Sequence, residues 1–504
     1  METQVVIIGG GVMGVALARE LSKYKVDVLV VERYPDVSFG ISKASNGMIY
    51  SGLTWLLSVA LKAIVTAGGG SESHLEKDRL CVEGYHRWEG IFRELDVPYL
   101  RTGVIVIARN DEEIQRLKDM QHMAKAEWDI KWLDREALFS IEPNVTREAV
   151  AALYDEGHML TQYPWEVVIA MAENAKDNGV KFMFDTEVRG FSRTNGFMVA
   201  ETTKGPIKTE FIVNATGPWS ADVAKLADAC NFNLKYFKGH CLLTDRRVGK
   251  LVNNCICWPP TPGVSKVVQP MISGNLRLAS IYAPTENKDD VAADAVGIET
   301  VLGRATDLVP ALSRKDIIAY YTGMRVFSGR DPEEYIVECA PNNPRFINVV
   351  LRLPGFTPAP AVAETATSLL EKAGLKLSKK EEFNPYRKRI PIFRELSDDQ
   401  RRKLIVQDPD WGHVICRCET VTEAEIVEAI RRGATTLDGI KQRTRAGMGR
   451  CQGGFCGPRV VEILSEKLNI PATQVTKMGG GSEIVLFESK ELLRQRKERI
   501  HACE

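Results

Sequence analysis

Four cysteines near the C-terminus have the types and spacing of metal ligands. Cys416 and Cys418 stand one residue apart in "HVICRCETVTEAE", and Cys451 and Cys456 stand among glycines in "GRCQGGFCGP". Zinc sites normally separate paired cysteines by two to four residues, so a C-x-C pair is unusual for zinc. Glycines let a backbone approach an inorganic cluster and donate N–H groups to its sulfur atoms. The pattern favours an iron–sulfur cluster, with structural zinc and unligated thiols as the alternatives.

The segment between the two cysteine pairs predicts two short helices. Thr422 and Glu425 have the spacing of a capping box at the start of the first helix. Gly433 is expected to end that helix, and Thr435 is expected to start the next one. The sequence therefore predicts a small helical domain that carries the four cysteines.

A glycine-rich loop at the N-terminus has a second kind of chemistry. The stretch "QVVIIGGGVMGVALARELSKYKVDVLVVER" predicts a strand, a tight turn, a helix and a second strand. Gly9, Gly11 and Gly14 match the fingerprint in which a backbone approaches a pyrophosphate at a helix N-terminus. Glu32 ends the second strand, where a carboxylate can accept a hydrogen bond from a ribose hydroxyl. The stretch therefore predicts a dinucleotide-binding site. The alternative is a glycine turn in another α/β fold. The loop alone does not distinguish FAD from NAD.

Length and composition limit the classes of protein that remain. The chain has 504 residues, which predicts two to four domains. Its 66 basic residues balance 66 acidic ones, so no net charge favours nucleic acid. The apolar stretch from Leu53 is interrupted by Lys62 and falls short of the roughly 20 residues that span a bilayer. We expect a cytoplasmic protein whose 11 cysteines serve as thiols and metal ligands.

Two later stretches repeat the plan of strand, glycine turn and helix. They are "FIVNATGPWSADVAKLA" from Phe211 and "INVVLRLPGFTPAPAVAETATSLLEKAG" from Ile347, and both could return the chain to one nucleotide. Together with the N-terminal loop, they resemble the FAD-dependent family that includes D-amino-acid oxidase, glycerol-3-phosphate dehydrogenase and 2-hydroxyglutarate oxidase. The resemblance covers roughly residues 1–375. It implies an α/β fold, with a discontinuous Rossmann-like FAD-binding domain and an inserted mixed-sheet substrate domain.

The four-cysteine stretch is similar to the small [2Fe-2S] domain of the bacterioferritin-associated ferredoxin type, which also ends the anaerobic glycerol-3-phosphate dehydrogenases. The free-standing protein has a closer second pair, so C-x4-C is a departure that this chain shares with the fused forms. The two resemblances imply FAD-binding segments, substrate-domain segments, a linker, a [2Fe-2S] domain and a tail. The FAD-binding segments are 1–90, 146–225 and 321–375, and the substrate-domain segments are 91–145 and 226–320. The linker is 376–410, the [2Fe-2S] domain is 411–470 and the tail is 471–504.

The family resemblance also implies a set of FAD contacts, carried over from matching motifs. Residues 42–45 would run along the pyrophosphate towards the flavin, and the backbone of Val188 would meet the adenine. A single serine or threonine is more often a helix cap or a turn residue. The implied contacts are Gly9, Gly11, Val12, Met13, Gly14, Glu32, Arg33, Ser42, Lys43, Ser45, Val188, Thr216, Gly217, Gly323, Gly355, Phe356 and Thr357.

Three residues match positions that act on substrate in the family. Arg325 would bind a carboxylate or phosphate, with a surface ion pair to Glu333 or Glu334 as the alternative. His240 would be a candidate base, or equally a core histidine with satisfied hydrogen bonds. Tyr50 stands where the hydroxy-acid branch usually has a histidine, and it would donate to a substrate oxygen.

Two further departures bear on the substrate. Ser273 replaces a second histidine, and Phe356 replaces a lysine common in glycerol-3-phosphate dehydrogenases. We expect a FAD-dependent dehydrogenase of a small hydroxy compound, either glycerol 3-phosphate or a 2-hydroxy acid, that passes electrons through a [2Fe-2S] cluster to a second redox subunit. The alternatives are a dehydrogenase of a secondary amine such as proline or sarcosine, and a non-catalytic electron-transfer subunit.

The segment 52–77 is longer than the family pattern. It would form a lid, a docking face or a peripheral membrane contact, or simply a buried helix with a loop. The expected partners therefore include a small-molecule substrate and a redox protein, but neither nucleic acid nor a transmembrane segment. Association with a membrane through the partner remains open.

Overall fold

The computed structural model describes residues 1–50, 52–54, 56–57, 75–124, 128–194, 196–259, 266–328, 335–352, 354–487 and 489–490. Most of the 52–77 segment, the suggested ion-pair partners Glu333 and Glu334, and the tail from residue 491 lie outside this range. The chain forms two compact units. The first contains Met1–Arg33 and Gly40–Lys388, and the second contains Tyr34–Phe39 and the chain from Arg389 onward.

The first unit alternates strands and helices. Its strands are β1 (Glu2–Ile8), β2 (Val28–Val31), β3 (Met48–Ile49), β4 (Leu100–Ala108), β5 (Lys131–Asp134), β6 (Ala151–Thr161), β7 (Lys181–Met183), β8 (Val188–Thr194), β9 (Phe197–Thr202), β10 (Ile207–Asn214), β11 (Leu234–Thr244), β12 (Cys255–Cys257), β13 (Val267–Pro270), β14 (Leu276–Thr285), β15 (Ile317–Ser328), β16 (Ile336–Ala340) and β17 (Asn343–Val350). Its helices are α1 (Val12–Leu21), α2 (Leu75–Glu94), α3 (Asp111–His122), α4 (Arg135–Ile141), α5 (Pro164–Asp177), α6 (Ser220–Leu226), α7 (Ala295–Leu308) and α8 (Ala359–Lys372). In the described part of the chain, no helix has both the length and the apolar character that crossing a bilayer requires.

The first sheet positions the glycine loop. Among the described residues it has eight strands. Six of them follow the order β16-β17-β10-β1-β2-β7, while β9 pairs with β10 and β8 pairs with β9. Strands β17, β10, β1, β2 and β7 run parallel, and α1 packs against α5 and α8. Because parallel strands end at the same edge, the turns after β1, β2, β10 and β17 converge there. This is the Rossmann-like layer that the sequence predicts.

The second sheet is mixed and curls over a separate core. Its nine described strands have the order β15-β11-β14-β13-β12-β4-β6-β3, with β5 paired to β6. One face packs against α7, where Leu242, Leu278 and Val301 are fully buried. The fold class expected from the sequence, an α/β fold with an inserted mixed sheet, is confirmed. Strand β6 belongs to this sheet, although its residues fall in the 146–225 segment that was assigned to the FAD-binding domain.

The second unit is small and mainly helical. It contains β18 (Val414–Cys416), β19 (Val421–Thr422), α9 (Asp398–Gln407), α10 (Glu423–Arg431), α11 (Leu437–Thr444) and α12 (Gly457–Leu468) around its own apolar core. The predicted capping box is present, because the Thr422 hydroxyl oxygen accepts from the Glu425 N–H and the Glu425 carboxylate accepts from the Thr422 N–H. Helix α11 is capped by Thr436, one residue later than the predicted start at Thr435.

A short N-terminal segment completes this second unit. Residues Tyr34–Phe39 follow β2 in the chain but belong to the unit built from Arg389 onward. Within it, Asp36 and Arg443 form an ion pair whose side chains are only 4% and 6% exposed. The second contact of the pair, from Arg443 Nη2 to Asp36 Oδ1, measures 3.1 Å. A buried pair of this kind is costly to break, because either partner left alone is a buried charge.

Candidate active site and cluster centre

The glycine loop is shaped for a diphosphate. Gly9 has a φ of +109°, and a Cβ there would lie 2.6 Å from the carbonyl oxygen of Ala215. A Cβ on Gly14 would lie 1.9 Å from the Gly9 carbonyl oxygen, so only glycine allows α1 to pack this closely. The helix has Gly11 as its N-cap, without a side-chain cap of its own, and the Val12 N–H donates to the Ser42 hydroxyl, so the N–H groups of the first turn after Val12 can face an anion. These residues fit the pyrophosphate of FAD.

We predict that Gly14→Ala weakens FAD retention, because the new methyl group must push the Gly9 turn away from α1. A loss of at least about tenfold in FAD affinity corresponds to about 1.4 kcal/mol, less than the cost of this backbone overlap. The measurement is the flavin content of protein dialysed against FAD-free buffer. Gly90→Ala is the matched control, since a Cβ at this helical glycine has nothing within 4 Å. Equal flavin content in the two variants would contradict the prediction.

Glu32 closes the loop from the second strand. Its Oε2 accepts a hydrogen bond of 2.5 Å from the Gly10 N–H, which fixes the carboxylate beside the glycine turn. Its carbonyl oxygen accepts a hydrogen bond from the Thr186 N–H at 2.9 Å. Thr186 leads into Val188, which is buried at the start of β8. The structure thus brings two of the predicted adenosine contacts, Glu32 and Val188, to one side of the loop.

The second glycine turn reaches the same edge of the sheet. Thr216 and Gly217 follow β10, and Gly217 has a φ of +59°. The guanidinium of Arg33, next to Glu32, stacks on the ring of Trp219 at 3.6 Å. A side-chain contact thereby joins the segments that follow β2 and β10.

The segment 42–45 extends from the loop towards the second sheet. The Ser42 hydroxyl accepts a hydrogen bond from the Val12 N–H at 3.0 Å, where α1 begins beside the buried Met13. Lys43 and Ser45 continue a short 3-10 turn from there. At its other end, a Cβ on Gly323 would lie 2.8 Å from the Ala44 Cβ, so β15 presses against this segment. Residues predicted to line the flavin therefore lie against β15.

The late turn after β17 joins the same region. The Thr357 hydroxyl accepts a hydrogen bond from the Tyr50 N–H at 2.9 Å, and its carbonyl oxygen accepts one from Trp88 Nε1 at 3.0 Å. The Phe356 ring, next to Gly355, is buried and lies 6.4 Å from the Trp88 ring. Phe356 therefore packs against α2, so its contribution to the turn is through its backbone and apolar contact.

One face of the second sheet carries the polar residues of the site. Directly paired residues of neighbouring strands share a face, and along one strand the faces alternate. Gly323 pairs with Gly239, Tyr321 with Cys241, and Gln269 with Arg277. The face that meets Ala44, which we call the chamber face, consists of Gly239, Cys241, Gln269, Arg277, Tyr321, Gly323 and Arg325. Gln269 and Arg277 were not predicted from the sequence, although Arg277 stands between two leucines in a strand pattern.

The chamber face is electrostatically positive. Arg325 Nε is buried, and within the described residues it has no hydrogen-bond partner. Desolvation and the neighbouring Cys241 raise the pKa of the Tyr321 phenol above its usual range, while Arg277 and Arg325 both oppose this shift. Tyr321 is therefore a neutral hydroxyl at neutral pH, within electrostatic reach of two guanidinium groups.

Tyr50 is oriented by the segment next to the loop. The Asn46 side-chain amide donates to the Tyr50 hydroxyl oxygen at 2.6 Å. The Asn46 carbonyl oxygen accepts a hydrogen bond from Gln269 Nε2 at 3.3 Å. Tyr50 is thus linked through Asn46 to the chamber face, and the structure brings this predicted residue into the same region as Arg325.

His240 does not lie on the chamber face. It pairs with Thr322, which alternates with Gly323, so its side chain lies on the opposite face beneath α7. Its ring is only 5% exposed, with Nε2 3.4 Å from Asp294 Oδ2 at the cap of α7. A Cβ on Gly297 would lie 2.3 Å from His240 Nδ1, so glycine makes room for the ring. This placement separates His240 from Arg325. It matches the alternative that His240 is a core histidine and not a base.

Burial makes His240 a source of pH-dependent stability. Desolvation lowers the pKa of His240, and Asp294 offsets this only in part. An unfolded histidine binds a proton below about pH 6.5, whereas the native side chain binds it only at lower pH. The free energy of unfolding should therefore fall as the pH drops through 6.5, and this loss should level off below the native pKa. His240→Gln should lose less stability than wild type from about pH 7.5 to about pH 5.

Urea unfolding midpoints at the two pH values test this prediction. The exposed His86 supplies the control, because His86→Gln removes a histidine without removing a buried ring. Wild type and His86→Gln should show the same pH dependence. If His240→Gln loses as much stability as wild type between the two pH values, the neutral buried imidazole is not the origin of that loss.

The four C-terminal cysteines form two pairs. Cys418 Sγ lies 3.7 Å from Cys451 Sγ, and the Cys416 and Cys456 thiols share a hydrogen bond. Each pair therefore combines one cysteine of the C-x-C motif with one of the C-x4-C motif. Within the described ranges, no three potential ligands meet at a point that suits a single ion. Two pairs of thiols fit a [2Fe-2S] cluster, which would take two thiolates at each iron.

The backbone around these thiols donates to sulfur. N–H groups of Gly447 and Glu419 act on Cys416. Hydrogen bonding from the Phe455 backbone lowers the pKa of the Cys451 thiol. A Cβ on Gly449 would lie 2.7 Å from Cys418 Sγ, so the glycine there is needed for close approach. Such N–H donors stabilise thiolates and cluster sulfides, as the glycine-rich sequence predicts.

Comparison with known proteins agrees with both sites. Residues 4–369 match the family described as FAD dependent oxidoreductase, and residues 414–466 match the BFD-like [2Fe-2S] binding domain. A glycerol 3-phosphate dehydrogenase from Caloramator mitchellensis is 34% identical over 493 residues, covering 96% of this chain and 98% of the relative. One subunit of the anaerobic glycerol-3-phosphate dehydrogenase from Escherichia coli K12 is 23% identical, covering 93% of this chain and 89% of the relative.

A solved structure shows the same architecture. The dithionite-reduced L-alpha-glycerophosphate oxidase from Mycoplasma pneumoniae, with FAD bound, superposes with a TM-score of 0.69 at 25% identity. It covers 77% of this chain, and the match spans 98% of the oxidase. This structure matches the part of the chain with the nucleotide loop and the mixed sheet, and the paired thiols lie in the segment matched by the [2Fe-2S] binding domain. The chain belongs to the FAD-dependent oxidoreductase family and carries a BFD-like [2Fe-2S] domain near its C-terminus.

Proposed function

We propose that the protein is a dehydrogenase that oxidises the secondary hydroxyl of a small anionic compound, glycerol 3-phosphate first and a 2-hydroxy acid second. The observation that carries this proposal is Arg325 on the chamber face, two residues from the Gly323 contact with Ala44. A guanidinium at this place can hold a phosphate or carboxylate through two parallel hydrogen bonds. The 34% identical relative, named a glycerol 3-phosphate dehydrogenase, supports glycerol 3-phosphate as the first choice.

Oxidation of a secondary alcohol to a ketone removes a hydride from the carbon and a proton from the hydroxyl, and that proton would pass to solvent. When bound, FAD supplies the two-electron acceptor and the [2Fe-2S] cluster supplies a one-electron carrier. Arg325 would hold the anionic end of the substrate. The Tyr50 hydroxyl, oriented by the Asn46 amide at 2.6 Å, would donate a hydrogen bond to the reacting oxygen. The chain would thereby hold the anionic end of the substrate and its reacting secondary hydroxyl.

We further propose that a second redox subunit receives the electrons. Cys418 and Cys451 are exposed, and Phe455 in the same loop is 56% exposed. A cluster close to the surface shortens the path to a protein acceptor. The Escherichia coli relative is named as one subunit of its dehydrogenase, which supports assembly with other chains. We place the protein in the cytoplasm, with any membrane contact made through that partner.

The test is the visible spectrum of anaerobically purified protein before and after addition of glycerol 3-phosphate. The flavin bands should bleach, with smaller changes for lactate or 2-hydroxyglutarate. Bleaching by proline or sarcosine alone would replace the hydroxy-compound proposal with an amine dehydrogenase. Intact flavin and cluster bands that respond to none of these compounds would favour a non-catalytic electron-transfer subunit.

A further inference from the structure

The turn that leads to Tyr50 is held closely against the chain that follows β6. Gly47 has a φ of +69°, and a Cβ there would lie 2.2 Å from the carbonyl oxygen of Gln162. The Gln162 N–H donates to the Gly47 carbonyl oxygen at 2.9 Å. Asn46, the residue before this glycine, is only 8% exposed. Its side-chain amide therefore lies in a fixed and largely desolvated place.

The backbone decides which end of the Asn46 amide meets Tyr50. Asn46 Oδ1 accepts a hydrogen bond from the Met48 N–H at 3.0 Å. A backbone N–H only donates, so the amide oxygen must face Met48 and the amide nitrogen must face the other way. That nitrogen lies 2.6 Å from the Tyr50 hydroxyl oxygen. Turning the amide over would place its NH2 group against the Met48 N–H, which leaves two donors facing each other.

The direction of this hydrogen bond controls the Tyr50 hydroxyl. A phenol can both donate and accept. Because its oxygen accepts from Asn46, which offers only N–H groups there, the hydroxyl hydrogen must point to a different acceptor. The Tyr50 backbone is held at the same time, since its N–H donates to the Thr357 hydroxyl at 2.9 Å. Tyr50 thus has a fixed position and a fixed sense of donation relative to Asn46.

Gln269 orients Asn46 from the mixed sheet by the same logic. Gln269 is fully buried, and its Oε1 accepts a hydrogen bond from Arg277 Nε at 3.1 Å. A guanidinium has only donors, so the amide oxygen of Gln269 must face it and the amide nitrogen is left to donate. That nitrogen donates to the Asn46 carbonyl oxygen at 3.3 Å. The backbone of Asn46 is therefore held from the chamber face as well.

We infer that Asn46 is a positioning residue that makes Tyr50 a hydrogen-bond donor to the reacting oxygen, with Gln269 holding Asn46 in place. This inference rests on the proposed function, because the reacting oxygen belongs to its substrate. Asn46 acts through Tyr50. As the hydroxyl proton of the substrate leaves for solvent, the substrate oxygen gains negative charge, and a donor that is oriented beforehand stabilises it.

The test is Asn46→Asp, which replaces the amide by a carboxylate of nearly the same shape. The carboxylate still accepts from the Met48 N–H, but it cannot donate to Tyr50. It accepts from the Tyr50 hydroxyl instead and so takes that hydrogen from the substrate. In anaerobic stopped-flow experiments, the rate of flavin reduction by glycerol 3-phosphate should fall about 10- to 100-fold, at unchanged flavin content.

Asn144→Asp is the matched control. Asn144 is exposed, and its amide donates to the Leu251 carbonyl oxygen at 3.1 Å. The variant introduces the same carboxylate at a residue that has no part in the proposed site. Its rate of flavin reduction should equal that of wild type.

A Tyr50→Phe background separates the direction of the hydrogen bond from the added charge. A carboxylate at position 46 also repels an anionic substrate, and this effect persists without the Tyr50 hydroxyl. Asn46→Asp should therefore slow flavin reduction much less in Tyr50→Phe than in wild type, a non-additive result. Equal losses in the two backgrounds would assign the effect to charge and overturn the role of Asn46. Should Asn46→Asp lose flavin, the uncharged Asn46→Ala is compared in the same two backgrounds.

Binding of the ketone product gives a measurement without turnover. The ketone oxygen of dihydroxyacetone phosphate accepts hydrogen bonds and cannot donate. In isothermal titration calorimetry of the oxidised holoenzyme, its dissociation constant should be about tenfold higher for Asn46→Asp than for wild type. The rise should be smaller in the Tyr50→Phe background.

The outcomes distinguish this inference from the proposed function. Weaker ketone binding in Asn46→Asp, without reduction of the wild-type flavin by glycerol 3-phosphate, would contradict the proposed oxidation and keep the role of Asn46. Reduction that is equally fast in wild type and Asn46→Asp would overturn the role of Asn46 and keep the proposed function. If wild type neither binds the ketone nor is reduced by glycerol 3-phosphate, both fail.

Discussion

Replacing Cys418 by serine is expected to remove the [2Fe-2S] cluster and leave the flavin in place. The Cys418 thiol is exposed and lies 3.7 Å from Cys451 Sγ, so the two would serve as ligands of one iron. Iron in these clusters depends on thiolate ligands, and a serine hydroxyl ionises far less readily than a thiol. The residues that fit FAD belong to the first unit, whereas the cysteines belong to the second unit, which has its own core. The flavin spectrum should therefore persist.

The measurement is the electron paramagnetic resonance signal of dithionite-reduced protein, together with iron per flavin. Cys230→Ser is the matched control, because the Cys230 thiol donates to the Phe232 carbonyl oxygen and a hydroxyl can do the same. Substrate should still bleach the flavin in Cys418→Ser, but reduction of a one-electron protein acceptor should nearly stop. A Cys418→Ser protein with a wild-type cluster signal would exclude Cys418 as a ligand.

Arg325→Ala should lower kcat/KM for the substrate by about a hundred- to a thousandfold, the loss of two charge-assisted hydrogen bonds. Arg325 Nε is buried and makes no hydrogen bond in the described part of the chain, so the alanine variant breaks no internal bond from that atom. FAD content should stay unchanged. Arg325→Lys should recover part of the activity, because a lysine supplies the charge but not the fork.

Stopped-flow reduction of the flavin under anaerobic conditions measures this effect directly. Arg345→Ala, a change at an exposed arginine on β17, provides the control for loss of a positive charge. Its reduction rate should match that of wild type. An Arg325→Ala enzyme with full activity would contradict the proposal that Arg325 binds the anionic end of the substrate.

Local patterns predicted the parts of the fold that depend on neighbouring residues. The glycine loop, the strand–turn–helix repeats and the capping box at Thr422 are each set within a few positions, so the sequence contains their full cause. The cysteine spacing likewise predicts the cluster, because the two motifs supply all four thiols. The exact start of α11 differs by one residue, since Thr435 and Thr436 are both suitable caps and only packing chooses between them.

Long-range pairing decided what the sequence did not reveal. Whether His240 faces substrate depends on the register between β11 and β15, whose residues lie far apart in the chain. Arg277 lies beside Gln269 on the chamber face because β13, β14 and β11 are neighbours, and local periodicity does not encode this strand order. In both cases, strand alternation tells on which face of the sheet a side chain lies, but only after the pairing of the strands is known.

The ion pair between Asp36 and Arg443 has a consequence for how the chain is made. Its partners are separated by 407 positions, so at 5–20 residues per second Asp36 leaves the ribosome about 20 to 80 s before Arg443 exists. Throughout that interval the nascent chain holds residues 34–39 without their final neighbours. The second unit therefore matures only when synthesis is nearly complete. A gene segment that encodes only the chain from Arg389 onward would therefore produce a buried guanidinium without the Asp36 carboxylate.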